Sequence, residues 1–508
     1  MAKLVSLVDH WPTVASAILV LAVCLFYQRL SYLRQLARLP LLNSSGSSKE
    51  KRKAYLESAH QLYQDGYRRF TNAAYRMPTS DGQQNIVIPP KLMPEFRNLT
   101  DSVVSFYPAA AQILESSYTH VLTDLSMVAH SVRAELTPAL SQLNPIIYAK
   151  VEEVMGEDIP ECTDWTPIPM YITIVSMVAK ITGRVFVGED LCRDSDYLDS
   201  AMNYAIDVLR AQKEIKFIRP WLRPILAPRL ASVRRLRERE KKAAEFFEPI
   251  IQARLEAESK HPDSQKPDDM MSSFMRSGGS QGIISVSELA KMQLGVIFAA
   301  VHTTSETMTH VMYDLAVLPD YIEPIREEIR AVMTEHGGII NTRGLQQMMK
   351  LDSFMKESLR FNPPLTTTSH REVIQGFSFS NGQYIPPGAT IELPSRAIYL
   401  DPANYPDEDQ FDGFRHYKLR RDGAARDYAR NQFVTSNEQN LMFGYGRHAC
   451  PGRFFAANEI KMLLARLIMH YDFKNEDGSM QRYPSIEIGA LIAPDTKRKL
   501  LFKMVRAS

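Results

Sequence analysis

The sequence predicts a mainly α-helical fold with small β-sheets, preceded by one transmembrane helix. Three observations carry that expectation. Apolar residues recur at helical spacing through 101–160, 166–190, 196–216, 240–257, 285–318 and 343–360. Strand-like runs are short and gather after Pro364. The run Trp11–Gln28 is free of charge and has about the length a bilayer demands of a helix.

That first run, containing PTVASAILVLAVCLFY, would reach about 27 Å as a helix. Trp11 and Tyr27 bracket it as interfacial aromatics would. Arg29, Arg34, Arg38, Lys49, Lys51, Arg52 and Lys53 follow it, whereas only Lys3, opposed by Asp9, precedes it. The positive-inside rule therefore puts residues 1–10 in the lumen, 11–28 in the membrane and the remainder in the cytosol. A cleaved signal peptide would carry a more basic leader and a small-residue cleavage site, and neither stands out. With this topology the sequons at Asn43 and Asn98 stay unglycosylated. Residues 29–50, ending in LPLLNSSGSSKE, read as a hinge, and 51–508 as one large folded domain.

Within that domain, Phe217–Leu226 mixes prolines, arginines and large apolar groups. It fits either a surface dipping into a membrane interface or a packed interhelix loop. The polar stretch 258–284, with His261, Pro262, Asp268, Asp269, Gly278, Gly279 and Gly282, reads as mainly loop. Ser285 and Glu288 then form a capping box for a long helix that Pro319 stops. Leu294–Val301 is apolar enough to predict burial on most sides. A helix over 343–360 ends at Asn362-Pro363-Pro364, and Asn381-Gly382 predicts a hairpin turn. Residues 401–440 lack periodicity. A last helix runs from near Pro451 to His470, before strands at 485–493 and 499–504.

The composition supports a large core: 508 residues, 45% hydrophobic and 23% charged. Sixty Lys and Arg against 58 Asp and Glu leave a formal +2, which gives no reason to expect a nucleic-acid partner. The four cysteines, at 24, 162, 192 and 450, are widely spaced and contain no C-x-x-C pair. This argues against a disulfide framework or a zinc site and for a reducing compartment. Cys24 lies in the apolar run, where a small hydrophobe is the ordinary reading.

Cys450 alone has a chemical context, in Phe443-Gly444-Tyr445-Gly446-Arg447-His448-Ala449-Cys450-Pro451-Gly452. Its glycines allow a tight turn and close approach, and its place at a helix start favours a thiolate. Such a thiolate is a good single axial ligand for haem iron.

This segment resembles the signature of the cytochrome P450 family, F-x-x-G-x-[RH]-x-C-x-G followed by a small residue, at Phe443, Gly446, His448, Cys450, Gly452 and Ala456. The resemblance implies haem b as cofactor, with Cys450 as the axial ligand of its iron, Phe443 packed beside the sulfur and His448 on a haem propionate. Arg447 is a supplementary contact, and Arg371 and Arg133 are further propionate candidates, although the usual W-x-x-x-R pattern is missing around Arg133. Glu357 and Arg360 match the family's E-x-x-R, which Arg415 would complete as a buried structural triad. Ala299-Ala300-Val301-His302-Thr303-Thr304 resembles the distal motif [AG]-G-x-[DE]-T-[TS], with alanine for glycine at 300 and histidine for the acid at 302. Thr303 then aligns with the threonine that delivers protons for dioxygen activation, beside Thr304. His302 is either a proton relay or a packed residue.

The same resemblance implies a monooxygenase that receives electrons from NADPH–cytochrome P450 reductase, with cytochrome b5 as a second candidate donor. It places the chain in the endoplasmic reticulum membrane, in contact with lipid. Arg447, Arg453 and Lys461 are candidate cations for an acidic partner. Ala299, Ala300, Thr303, Leu365–Thr368 (Leu365, Thr366 and Thr367 among them) and Ile488–Ile492 are expected to line a pocket for a lipophilic compound. AAVHTT and FGYGRHACPGRFFA look most like fungal secondary-metabolism enzymes of the ent-kaurene oxidase and indole-diterpene oxidase types. A terpenoid or meroterpenoid intermediate is the expected substrate, with a polyketide or prenylated alkaloid as the alternative. A haem-binding membrane scaffold or sensor without catalysis is the reading outside enzymology.

Overall fold

The structure, a computed structural model, describes residues 11–43, 46–261, 268–279 and 285–505. The expected luminal segment 1–10, and Ser44, Ser45, Pro262 and Gly282, lie outside the described residues. The longer helices, in chain order, are α1 (Trp11–Leu36), α2 (Ser48–Arg69), α3 (Thr137–Asp158), α4 (Met170–Phe186), α5 (Ser195–Phe217), α6 (Ala231–Lys260), α7 (Met270–Gly279), α8 (Val286–Leu315), α9 (Ile322–Glu335), α10 (Met349–Phe361) and α11 (Arg453–His470). One apolar core runs through α3, α4, α5, α6, α8, α10 and α11. The mainly helical expectation with minor β content therefore holds.

α1 is longer than the uncharged run. Among the described residues its Thr13–Leu36 stretch is long and apolar enough to cross a membrane, and its 18–27 side chains are exposed, Cys24 included. The stretch expected as a hinge is not free. Residues 29–36 continue the helix, and Leu36, Leu39 and Leu42 are buried. The Arg76 N–H donates to Pro40 O at 2.8 Å and the Leu42 N–H to Arg76 O at 3.0 Å, which adds this segment to the edge of a sheet. Leucines at 36, 39 and 42 outweigh the flexibility that serine and glycine suggest.

That sheet has five strands in the order Tyr75–Pro78, Gln84–Val87, Thr390–Leu393, Thr368–Val373 and Val104–Ser105, with one parallel pair between the second and third. Tyr471–Asn475, Lys499–Met504 and Thr166–Pro169 form a smaller antiparallel sheet. The Asn381-Gly382 turn joins the hairpin Phe377–Ser378 and Tyr384–Ile385, and Gly382 takes φ +81°.

Two boundaries differ from the sequence expectation. Among its described residues the stretch 258–284 is mainly helical: α6 continues to Lys260, and α7 buries Met270, Met271, Phe274 and Met275. Asp269 starts α7 by accepting the Ser272 N–H at 2.8 Å. α6 also starts earlier than the expected 240, at Ala231, with Arg234, Arg235 and Glu238 exposed and Arg239 turned inward to Asp207 at 2.7 Å. α8 begins as expected, with the Ser285 N–H on Glu288 Oε2 at 2.9 Å and the Glu288 N–H on Ser285 Oγ at 3.2 Å. It is not enclosed all round, because Ala299 and Thr303 are exposed.

Candidate active site

The Cys450 loop is built from its backbone outward. Gly444 and Gly446 take φ +75° and +71°, where a side chain would be strained, and this folds the chain back so that the Cys450 N–H donates to Phe443 O at 2.7 Å. The Leu441 N–H is held by the Tyr399 hydroxyl at 2.9 Å, and Ser436 Oγ donates to Gly444 O. Phe443 meets Phe433 edge to face at 5.3 Å. α11 begins three residues after Cys450. Burial raises the Cys450 thiol above its ordinary pKa, while the Gly452 and Arg453 N–H groups and the Arg453 charge pull it down. Those donors suit a sulfur that carries charge against a metal.

Behind this loop lies the ion-pair cluster. Arg360 Nη2 and Nε reach Glu357 Oε1 and Oε2 at 2.8 and 3.0 Å, with both side chains fully enclosed. Arg415 Nε joins Glu357 Oε1 at 3.2 Å. Arg360 also donates to the carbonyls of Tyr399, Glu408 and Gln410, which clamps the aperiodic 401–440 segment onto α10.

A second cluster forms beside the loop. A bulge between Thr368 and Arg371 puts Ser369 at φ +57° and turns Arg371 inward. Arg371 is buried, its guanidinium lies 5.4 Å from the Phe106 ring, and its Nη1 donates to His370 O at 2.7 Å. Burial lowers it to about 10, against the opposing pull of Asp101 and Tyr107. His448 Nε2 meets Asp101 Oδ1 at 2.6 Å, and its ring lies 6.1 Å from Phe106 and 6.0 Å from Tyr107. Burial raises the Tyr107 phenol and Asp124 and Asp101 add to it, while Arg133 opposes, which sets the exposed Arg133 beside the same group. Asp101, Phe106 and Tyr107 had no signal as site residues in the sequence, since the helical spacing through 101–160 marks an apolar face and singles out none of them.

On α8, Thr303 Oγ1 donates back to Ala299 O at 2.7 Å. Thr304 is buried. Both His302 nitrogens are occupied: the Tyr171 hydroxyl lies 2.8 Å from Nδ1 and Met202 O lies 2.9 Å from Nε2. Burial lowers its pKa, so it is a neutral ring packed between α4 and α5. Of the expected pocket residues, Ala299, Leu365 and Ile488 are exposed and Ala300 is partly so. Backbone bonds bring 364–366 and 490–492 together, Thr366 N–H to Ala490 O at 2.7 Å and Ile492 N–H to Pro364 O at 3.0 Å. Ile492 and Thr366 are buried, and the Thr367 hydroxyl belongs to the enclosed group around His370 and Glu392.

Of the candidate docking cations, Arg447 is exposed. Lys461 is not available: it is buried, pairs with Asp352 and donates to Leu345 O at 3.1 Å. Arg453 Nη1 donates to Cys450 O at 2.7 Å. Similarly, Arg223 in the 217–226 block is tied to Glu115 at 2.8 Å, although Phe217, Trp221, Ile225 and Leu226 remain exposed.

These residues fit haem. A buried guanidinium without a carboxylate in ion-pair range among the described residues, and the buried Ser369 Oγ without a partner, suit propionates. Cys450 is the sulfur ligand such a group takes. Fold and site thus define the class: a helical haem-thiolate protein whose thiolate loop is braced by a buried Glu–Arg–Arg cluster.

The family model for Cytochrome P450 matches residues 119–502, and the chain belongs to that family. It is 36% identical over 431 residues to Cytochrome P450 monooxygenase ATR3 of Stachybotrys chlorohalonatus, covering 84% of this chain and 90% of the relative. It is 33% identical over 498 residues to Cytochrome P450 monooxygenase TES1 of Alternaria alternata, covering 97% and 94%. The fold matches retinoic acid-bound cyanobacterial CYP120A1 with a TM-score of 0.67 at 18% identity, over 90% of this chain and 96% of the other. The protein is a cytochrome P450 monooxygenase, an oxidoreductase. Membership implies haem b, dioxygen, an organic substrate and a reductase partner.

Proposed function

We propose that this monooxygenase acts in fungal secondary metabolism, oxidising a lipophilic terpenoid or indole-diterpene-type intermediate. The observation that carries the reading is the exposed face of α8, where Ala299, Ala300 and Thr303 offer small groups, with apolar Leu365 and Ile488 exposed on neighbouring segments. Small residues at the centre and apolar ones around it suit a bulky substrate with few polar groups. The motif variants AAVHTT and FGYGRHACPGRFFA support the same choice.

Cys450 would hold the group through its sulfur, Arg371 and His448 would hold its carboxylates, with Arg133 and Arg447 as supplementary cations, and the Glu357–Arg360–Arg415 cluster keeps the loop in place. Haem b, when bound, supplies the oxidising power. Thr303 positions a proton at its hydroxyl, and the apolar wall excludes water. Electrons come from NADPH–cytochrome P450 reductase, and from cytochrome b5 as a second donor, across the surface carrying Arg447. α1 anchors the protein in the endoplasmic reticulum membrane with the folded domain in the cytosol, and the exposed Phe217, Trp221, Ile225 and Leu226 add a lipid contact.

The test is a panel of terpenoids, polyketides and prenylated alkaloids added to the holoenzyme with reductase in lipid. A Soret shift and NADPH-dependent product from terpenoids alone is expected. Product from another class would displace the substrate reading, and no coupled turnover across the panel would favour a scaffold. Protease protection of tagged microsomes tests the orientation.

A further inference from the structure

The position before Thr303 holds a histidine whose two nitrogens are both engaged away from the exposed face of α8, which leaves proton supply to another group. The next acidic side chain on that helix is Glu306. Ala299, Thr303 and Glu306 follow the i, i+4, i+7 pattern of a single helical stripe. At 3.6 residues per turn, Glu306 lies about 60° from Thr303 around the axis, one turn further along, and about 40° from His302. Residues three apart are surface neighbours on a helix. Thr307 joins the stripe, with its hydroxyl on Thr303 O at 2.9 Å.

Glu306 is also unpaired. Among the described residues no cation lies within ion-pair distance of it, and no side-chain hydrogen bond engages its carboxyl. Other carboxylates of this helix are engaged: Glu288 closes its capping box, and Asp314 is held by Ser358 and Arg482. Burial alone raises Glu306, to about 7, with no neighbouring charge contributing. From α4, the Tyr171 phenol feels the Glu306 charge, and this phenol also bonds His302. Among the described residues no other element packed on α8 sets a charged group that acts on the carboxyl. A half-buried carboxyl without partners among the described residues, poised near neutrality and sharing a stripe with the Thr303 hydroxyl, is more than a core residue requires.

We propose that Glu306 is the proton-supplying acid of this monooxygenase, filling from one turn beyond Thr303 the role that His302 cannot fill from the residue before it. The carboxyl O–H breaks as its proton moves to Thr303 Oγ, directly or through one water, while the Thr303 hydroxyl passes its own proton into the pocket. The carboxylate left behind is reprotonated from solvent, so the residue is unchanged after each cycle and no oxidant is consumed. The inference rests on Thr303 facing the distal side, as proposed above.

The test compares wild type with Glu306→Gln, Glu306→Asp and Thr303→Ala, each purified as full-length holoenzyme and first checked for an unchanged reduced carbon monoxide spectrum. Infrared spectroscopy through neutral pH should show in wild type a protonated-carboxyl band that titrates with a midpoint near 7 and is missing from Glu306→Gln. With reductase, NADPH and oxygen, the NADPH oxidation of Glu306→Gln should lose the pH break seen in wild type and slow about tenfold, while Glu306→Asp keeps the break. Absence of the titrating band, or an unchanged pH profile in Glu306→Gln, overturns the proposal. If Glu306→Gln behaves as expected and Thr303→Ala leaves rate and profile intact, the placement of Thr303 fails and Glu306 delivers by another route, which overturns the transfer as written.

Discussion

The Cys450 side and the α8 side, which flank the proposed haem site, are built on opposite plans. On the cysteine side nearly every group is engaged: the Cys450 N–H on Phe443, Leu441 on the Tyr399 hydroxyl, Glu357 shared by Arg360 and Arg415, and Arg360 spread over three carbonyls. On the α8 side, among the described residues, the hydroxyl of exposed Thr303 bonds only its own helix, and the Glu306 carboxyl is left without a partner. A metal ligand must stay at one place, so redundancy serves it. A proton donor must change partners, so an unfinished hydrogen-bond set serves it better.

The largest expected effect breaks the cysteine side at its centre: Cys450→Ala should abolish the thiolate-type spectrum of the reduced carbon monoxide complex altogether. Next, Arg360→Ala removes a buried cation from a fully buried carboxylate and should cost about 3–5 kcal/mol. Thermal unfolding of the holoprotein reads that loss, accompanied by release of haem. On the open side, Thr303→Ala should leave folding and spectrum intact while product formation falls on the order of 10²-fold and peroxide rises. Equal loss of stability in Thr303→Ala and Arg360→Ala would erase the contrast.

A subtler probe is Glu459 on α11, fully buried, accepting one hydrogen bond from Thr182 at 2.9 Å and raised by burial to about 8. Its folded pKa lies above the ordinary carboxyl value of 4.5, so its favourable contribution is complete below that value and is lost as pH rises through about 8. Glu459→Gln should flatten the stability profile across that window, as followed by unfolding midpoints against pH. The smallest effect is expected from Ser285→Ala, which removes the α8 cap and should cost about 1 kcal/mol in a denaturant titration.

Local rules made much of this legible. Capping residues placed the start of α8, Asn381-Gly382 placed a hairpin, and the spacing of Glu357 and Arg360 implied an ion pair. What stayed hidden depends on contacts between segments far apart in the chain. Asp101 meets His448 across 347 positions, and no periodicity marks it. The occupied nitrogens of His302 depend on Tyr171 and Met202 from two other helices. Lys461 read as a surface cation until Asp352 enclosed it. α7 was missed because a polar stretch hid a short apolar stripe, Met270, Met271, Phe274 and Met275, within it.

The docking of Leu36, Leu39 and Leu42 on the sheet edge has a mechanical consequence. A helix joined by a slack string would leave the domain free to tumble above a bilayer. Here the last turn of α1 and the residues after it share an apolar cluster with Phe379, Ile385 and Leu393, so the joint behaves as a bracket. With α1 in a bilayer, as proposed above, tilting it would tilt the sheet with it, and the bilayer normal would become a coordinate of the whole folded domain. Inserting a glycine-rich spacer after Leu36 would turn that bracket back into a string, and the spread of domain orientations on a supported membrane would report the change.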